Sequence, residues 1–187
     1  MRILLVFASK YGHTAKVMRA VANECERDGA SCDVFEVGSL PREIDLEQYD
    51  GIMLAGSVHF GKHARALESF VLRSHLLSSL PSAMLSVSMS AAEEKTRAEA
   101  EAALDQFLER TAWTPDKRLC VAGAISYTRY GFIIRWIMKR ISAKKGSSTD
   151  SSRDHVYTNW PEVEAFARDF IAGLRTTHED AVAHSLA

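Results

Sequence analysis

The sequence predicts a doubly wound α/β domain on a parallel sheet, and three observations carry that prediction. Strand-like and helix-like segments alternate from one end of the chain to the other, as parallel βαβ units require. The opening run Arg2-Ile3-Leu4-Leu5-Val6-Phe7-Ala8 is apolar at nearly every position, the pattern of a strand covered on both faces. It leads straight into Ser9-Lys10-Tyr11-Gly12-His13-Thr14 and a helical pattern, so a loop meets a helix N-terminus at the strand's carboxyl end.

Composition agrees with one globular domain. The 187 residues are 47% apolar and 25% charged, ordinary values for a chain long enough to bury a core. A formal net charge of −1 gives no overall reason to expect nucleic acid or an acidic partner. Cys25, Cys32 and Cys120 form no C-x-x-C pair and no zinc spacing, and they read as reduced thiols of a cytoplasmic protein. The first apolar run is too short for a signal peptide, and no stretch approaches roughly 18 apolar residues, so no membrane span is expected.

The elements follow in order. After the first strand, residues 15–28 place Met18, Val21, Ala22 and Cys25 on one helical face, and Gly29 ends that helix. Residues 32–37 alternate as a second strand, and 51–56 form an apolar third. Residues 62–77 read as a helix with Leu67, Phe70, Val71 and Leu77 inward, and Pro81 precedes a fourth strand at 83–88. Residues 93–110, rich in Ala, Glu and Leu, make the clearest helix. A fifth strand is predicted at 119–125, then an insertion at 126–154 and a strand fragment at 155–158. A final helix at 160–174 opens with Pro161. Residues 1–174 thus make a single domain, and 175–187 a flexible tail without periodicity.

Ligands of such sheets bind at the carboxyl ends of the strands. The first loop offers hydroxyls, a glycine and backbone N–H groups at a helix N-terminus, which is what a phosphate monoester needs. It is neither a Walker A loop nor a G-x-G-x-x-G fingerprint. The alternative is an ordinary turn with Thr14 as its cap. After strand three, Gly56-Ser57-Val58-His59-Phe60-Gly61 brackets an imidazole and an aromatic with glycines, and a planar ring could lie against Phe60. His59 and His63 could share a helical face, but no further metal ligands accompany them and no metal is expected. Ser57 lacks a hydrolase elbow, and Glu93-Glu94 suit a helix start without any catalytic role.

A strand ending in Ser-x-Tyr-Gly-x-Thr, a Gly-Ser-x-x-x-Gly loop after strand three and a break near strand five resemble the flavodoxin-like proteins. Pro81-Ser82-Ala83, Ser86-Val87, Ala122-Gly123-Ala124, Tyr127-x-x-Tyr130, Ile137-Met138-Lys139 and Val156-Tyr157-Thr158-x-Trp160 narrow the likeness. They look like the bacterial quinone-dependent protoporphyrinogen dehydrogenases of haem synthesis, over residues 1–174. The resemblance implies a flavodoxin-like, doubly wound five-stranded sheet in the order 2-1-3-4-5, with a helical insertion near strand five. It also implies bound FMN. Ser9, the backbone of Lys10, Tyr11, Gly12 and His13, and Thr14 would hold the phosphate. The ring would lie between Ser57, Val58, His59, Phe60 and Gly61 on one side and Ser88, Met89 and Ser90 on the other. Protoporphyrinogen IX would be oxidised by successive two-electron transfers to the flavin, each followed by delivery to a membrane quinone, menaquinone or ubiquinone.

Electron-carrier flavodoxins tend to stack a Tyr from the loop after strand four, whereas Met89-Ser90-Ala91 has no aromatic. That bare loop and the near-neutral charge favour an enzyme. The insertion adds a basic amphipathic stretch: Ile133, Ile134, Ile137, Met138 and Ile141 form a stripe edged by Phe132 and Trp136. Arg135, Lys139, Arg140, Lys144 and Lys145 supply charge with no acid among them. Such a helix suits an anionic membrane surface, or equally a helix packed on the core with its basic residues solvated. With a quinone acceptor, docking on the inner face of the cell membrane becomes the expectation, through Phe132, Ile133, Trp136, Ile137, Lys139 and Arg140. Arg129, with Lys62 and Arg65 next, could bind substrate propionates. The rival readings are a flavodoxin-type electron carrier, a quinone reductase with another donor, and a non-catalytic docking domain; a homo-oligomer stays open.

Overall fold

A computed structural model describes residues 1–41, 44–125 and 155–185. Its elements are β1 (Arg2–Ala8), α1 (His13–Arg27), β2 (Ser31–Glu36), β3 (Gly51–Ser57), α2 (Arg65–Arg73), β4 (Ser82–Ser88) and α3 (Glu94–Thr111). β5 (Lys117–Ala122), β6 (Ala124–Ile125), β7 (His155–Val156) and α4 (Trp160–Ser185) complete them. The main sheet runs β2-β1-β3-β4-β5 with every neighbour parallel. This is the predicted flavodoxin-like order.

The apolar runs are explained by two buried faces. Ile3, Leu5, Met53, Ala55, Leu85 and Val87 meet Val17 and Val21 of α1 and Val163 and Phe170 of α4. The alternating residues Leu4, Val6, Ile52, Leu54 and Met84 meet Leu67 and Phe70 of α2 and Leu104 and Phe107 of α3. Each fully buried side chain of this kind contributes about 2 kcal/mol, so neither face of the central strands has room for a stray charge. All three cysteines are free thiols. Among the described residues, no helix is long and apolar enough to cross a membrane.

Three predicted boundaries move. The helix expected at 62–77 spans only Arg65–Arg73, followed by a 3-10 turn at His75–Ser79. Ser74 stops it by donating its hydroxyl to the Phe70 carbonyl at 2.7 Å, a local bond that competes with helix continuation. The fifth strand ends at Ala122 rather than 125. There the Gly123 amide donates to Ser88 O at 2.9 Å, and the Gly123 carbonyl accepts from the Tyr157 amide at 3.1 Å. Beyond it Ala124 and Ile125 pair antiparallel with Val156 and His155, so the predicted fragment at 155 is real. Finally, α4 continues to Ser185, where an aperiodic tail was expected. Thr176 and Thr177 donate back to the carbonyls of Ala172 and Gly173 at 3.1 and 3.0 Å, and Arg175 reaches Asp28 at the end of α1.

Candidate cofactor site

The loops after β1, β3 and β4 gather at one end of the sheet. Gly12, at φ +82°, is the N-cap of α1, and no side chain caps that end. The left-handed conformation is one that glycine adopts without strain. Helix geometry leaves the first amides of α1 without intrahelical partners, and the dipole adds positive potential there. Thr14 is the second residue of α1 rather than its cap, which corrects the ordinary-turn alternative. Its Oγ1 is buried without a hydrogen-bond partner, and so is Ser9 Oγ. Burying a hydroxyl unpaired costs about 1–3 kcal/mol. Two such oxygens flanking an uncapped helix start suit an anion with several acceptor oxygens, so these residues fit the phosphate they were expected to hold.

The second loop is a tight hairpin. His59 and Lys62 exchange backbone bonds of 2.8 and 3.1 Å, and the two residues between them, Phe60 at φ +52° and Gly61 at +73°, are both left-handed. That is the pattern of a type I′ turn. A phenylalanine in this conformation is strained by roughly 1–2 kcal/mol, yet its side chain stands fully in solvent. Val58 ties the loop to β4 through a 2.8 Å bond to Val87 O. His59 packs edge-on against Tyr11 of the first loop, ring centroids 5.4 Å apart, and its Nε2 is buried without a partner. Burial, then Lys10, holds its pKa below the usual histidine value, which favours the neutral ring. Lys62 and Arg65 are exposed.

Ser88 Oγ accepts from the Ala91 amide at 3.3 Å, and Met89 caps a 3-10 turn at Ser90–Ala92. The Ser90 hydroxyl donates to Glu99 of α3 at 3.0 Å, so toward a ligand it can act only as an acceptor. Arg129, Phe132, Ile133, Trp136, Ile137, Lys139 and Arg140 lie outside the described residues.

His59 and His63 do not share a helical face, because α2 begins only at Arg65. His63 turns into the core instead, its Nε2 3.1 Å from Ser86 Oγ and its ring 4.8 Å from Phe107. Gly56 makes the space: a Cβ there would lie 2.7 Å from His63 Cδ2. Burial, with Arg110 second, lowers the His63 pKa to about 4. Among the described residues, no group of three His, Cys, Asp or Glu side chains could hold a metal ion.

Sequence reasoning missed one contact. His13 Nε2 lies 2.6 Å from Thr158 Oγ1, although Thr158 entered the reading only as part of a family motif. Nothing in the local pattern marks it as a partner of the first loop.

The flavodoxin domain family matches residues 4–152. Flavodoxin 1 of Bacillus cereus superposes with a TM-score of 0.56 at 18% identity, over 92% of this chain and 98% of its own, a likeness of fold. A protoporphyrinogen IX dehydrogenase [quinone] of Escherichia coli is 33% identical over 172 residues, 90% of this chain and 94% of that protein. One from Leishmania major is 31% identical, over 91% of this chain and 75% of its own length. The flavodoxin domain implies a flavin cofactor. The chain belongs to the flavodoxin domain family and, within it, to the group of these curated quinone-dependent dehydrogenases.

Proposed function

We propose that this protein oxidises protoporphyrinogen IX to protoporphyrin IX with FMN as its cofactor, passing the electrons to a membrane quinone, menaquinone or ubiquinone. The observation that carries the cofactor reading is the pair of buried, unpartnered hydroxyls of Ser9 and Thr14 beside the uncapped start of α1. Substrate and acceptor are supported by the names of relatives aligned over nine-tenths of the chain.

When bound, the flavin supplies the two-electron chemistry. The chain's own residues bind and orient. Ser9 Oγ, Thr14 Oγ1 and the first amides of α1 hold the phosphate. His59 Nε2 offers a neutral hydrogen-bonding atom next to the first loop. The bare Met89-Ser90-Ala91 segment leaves room for a large substrate, which supports an enzyme over an electron carrier. Lys62, Arg65 and Arg129 are candidate partners for propionate groups.

Purified protein decides the cofactor reading: a colourless chain that fails to take up added FMN sinks it. For the substrate, protoporphyrinogen and a quinone are supplied anaerobically and porphyrin fluorescence is followed. A rise no faster than the uncatalysed rate rules the proposed reaction out. The basic stretch at 132–145 supports peripheral attachment to the inner face of the cell membrane. Ile137→Asp is expected to weaken sedimentation with anionic vesicles while leaving FMN content intact.

A further inference from the structure

The first turn of α1 is tied to a segment 145 residues away, and the hydrogen-bond inventory of that tie has one solution. Thr158 Oγ1 lies 2.6 Å from the carbonyl oxygen of Ala122. A carbonyl only accepts, so the hydroxyl's single proton is directed there. The same Oγ1 lies 2.6 Å from His13 Nε2. With its proton spent, the hydroxyl can only accept from the ring, so Nε2 carries a hydrogen. Burial, then Lys16, holds the His13 pKa below the usual value, favouring a neutral ring whose remaining nitrogen, Nδ1, bears a lone pair.

Thr158 is itself held in place. The Tyr157 amide donates to Gly123 O at 3.1 Å, and the Gly123 amide donates to Ser88 O at 2.9 Å. The Trp160 ring leans on the imidazole at 5.9 Å and 56°. A continuous line therefore runs from the end of β4, through the end of β5 and residues 157–158, to the first residue of α1. Gly12 before it has no side chain, and no side chain caps the helix. The imidazole is thus the tether that orients the amides at this helix start.

We propose that His13 and Thr158 act together as positioning residues for the flavin phosphate, the hydroxyl fixing the Nε2–H tautomer and the ring fixing the helix start that receives the anion. This rests on the FMN reading and extends the site to residues 157–158 and the Ala122 carbonyl.

The test uses the full apo chain titrated with FMN and with riboflavin, which lacks the phosphate. Thr158→Val is expected to weaken FMN about tenfold and riboflavin less than twofold, so the ratio of the two affinities falls. Thr158→Ser keeps acceptor and donor and stays within threefold of wild type. The Thr158→Val/His13→Leu pair is expected to lose no more than about twofold beyond the worse single variant, as residues acting as one unit do. Nitrogen-15 spectra of the wild type should show the proton on Nε2, and Thr158→Val should give mixed tautomers.

A Thr158→Val chain that keeps the wild-type ratio, or weakens both flavins equally, overturns the proposal and leaves a purely structural contact. An Nδ1–H tautomer in the wild type overturns it even where the valine variant does not fold. A wild type that binds neither flavin overturns the FMN reading as well, so the two failures are told apart.

Discussion

The two ends of the sheet are built on opposite terms. At the amino end polar groups are paired: the Arg2 amide donates to Asp50 at 2.7 Å, and its guanidinium to Asp33 at 2.8 Å, which also accepts from Tyr49 OH at 2.9 Å. Asp116 accepts from the Ser82 amide at 2.7 Å, and Lys117 is bound to Asp169. A cleft of about 450 Å³ lies at that end, lined by Leu80, Pro81, Lys117, Phe170 and Leu174 among others. At the carboxyl end, Ser9 Oγ, Thr14 Oγ1, His59 Nε2 and His63 Nδ1 are buried and unpartnered, against Trp113 Nε1 alone near the amino end among the described residues. Left-handed backbone at a non-glycine residue occurs at both ends, at Phe60 in the β3 loop and at Ala112 just after α3, so strain does not separate them. The cleft at the amino end is lined by residues whose polar groups are already paired, Asp116 and Lys117 among them. Buried polar atoms without partners need an explanation; the proposed cofactor supplies one for Ser9 and Thr14, whereas His63 and Trp113 belong to the core.

The strongest way to break this contrast is Ser9→Ala with Thr14→Val. Hydrogen bonds to a charged group are worth about 1.5–3 kcal/mol each, so FMN affinity should fall at least a hundredfold. Because both hydroxyls are unpaired in the apo chain, its thermal midpoint should hold or rise. A lower midpoint with unchanged FMN binding would reverse the assignment of that end.

His63 sharpens it next. Its folded pKa, about 4, lies below the ordinary 6.5, so the folded chain resists the proton. The stability it protects is complete above pH 6.5 and is lost as the pH falls toward 4, by about 3 kcal/mol. Urea midpoints at pH 7 and pH 4.5 should therefore drop further in wild type than in His63→Gln. Equal drops would mean the ring is not the group being desolvated.

The smallest effect belongs to the amino end. Tyr49→Phe removes one partly exposed bond to Asp33 and should cost no more than about 1 kcal/mol, with FMN affinity unchanged. A loss of FMN binding there would show that the two ends are coupled.

The parallel sheet was legible because both its faces are covered, so β1, β3 and β4 read as continuous apolar runs in any local window. The junction at Ser9–Thr14 was legible for a similar reason: a hydroxyl-bearing turn that leads into a helix N-terminus is written in adjacent residues. The end of β5 and the start of α2 were not, because Gly123 bonds to Ser88 and Tyr157, and His63 is claimed by the core. The length of α4 escaped because residues 175–185 show no helical apolar periodicity in the sequence.

By itself, then, the sequence determined the layered α/β order, the two core faces and the loop that leads into α1, since each depends on hydrophobic periodicity or on neighbours in the chain. Only the tertiary structure decided which hydroxyls stay unpaired, that His63 packs across Gly56, and that Thr158 meets His13. Those outcomes depend on where packing brings distant backbone carbonyls and side chains, and no local pattern encodes that distance.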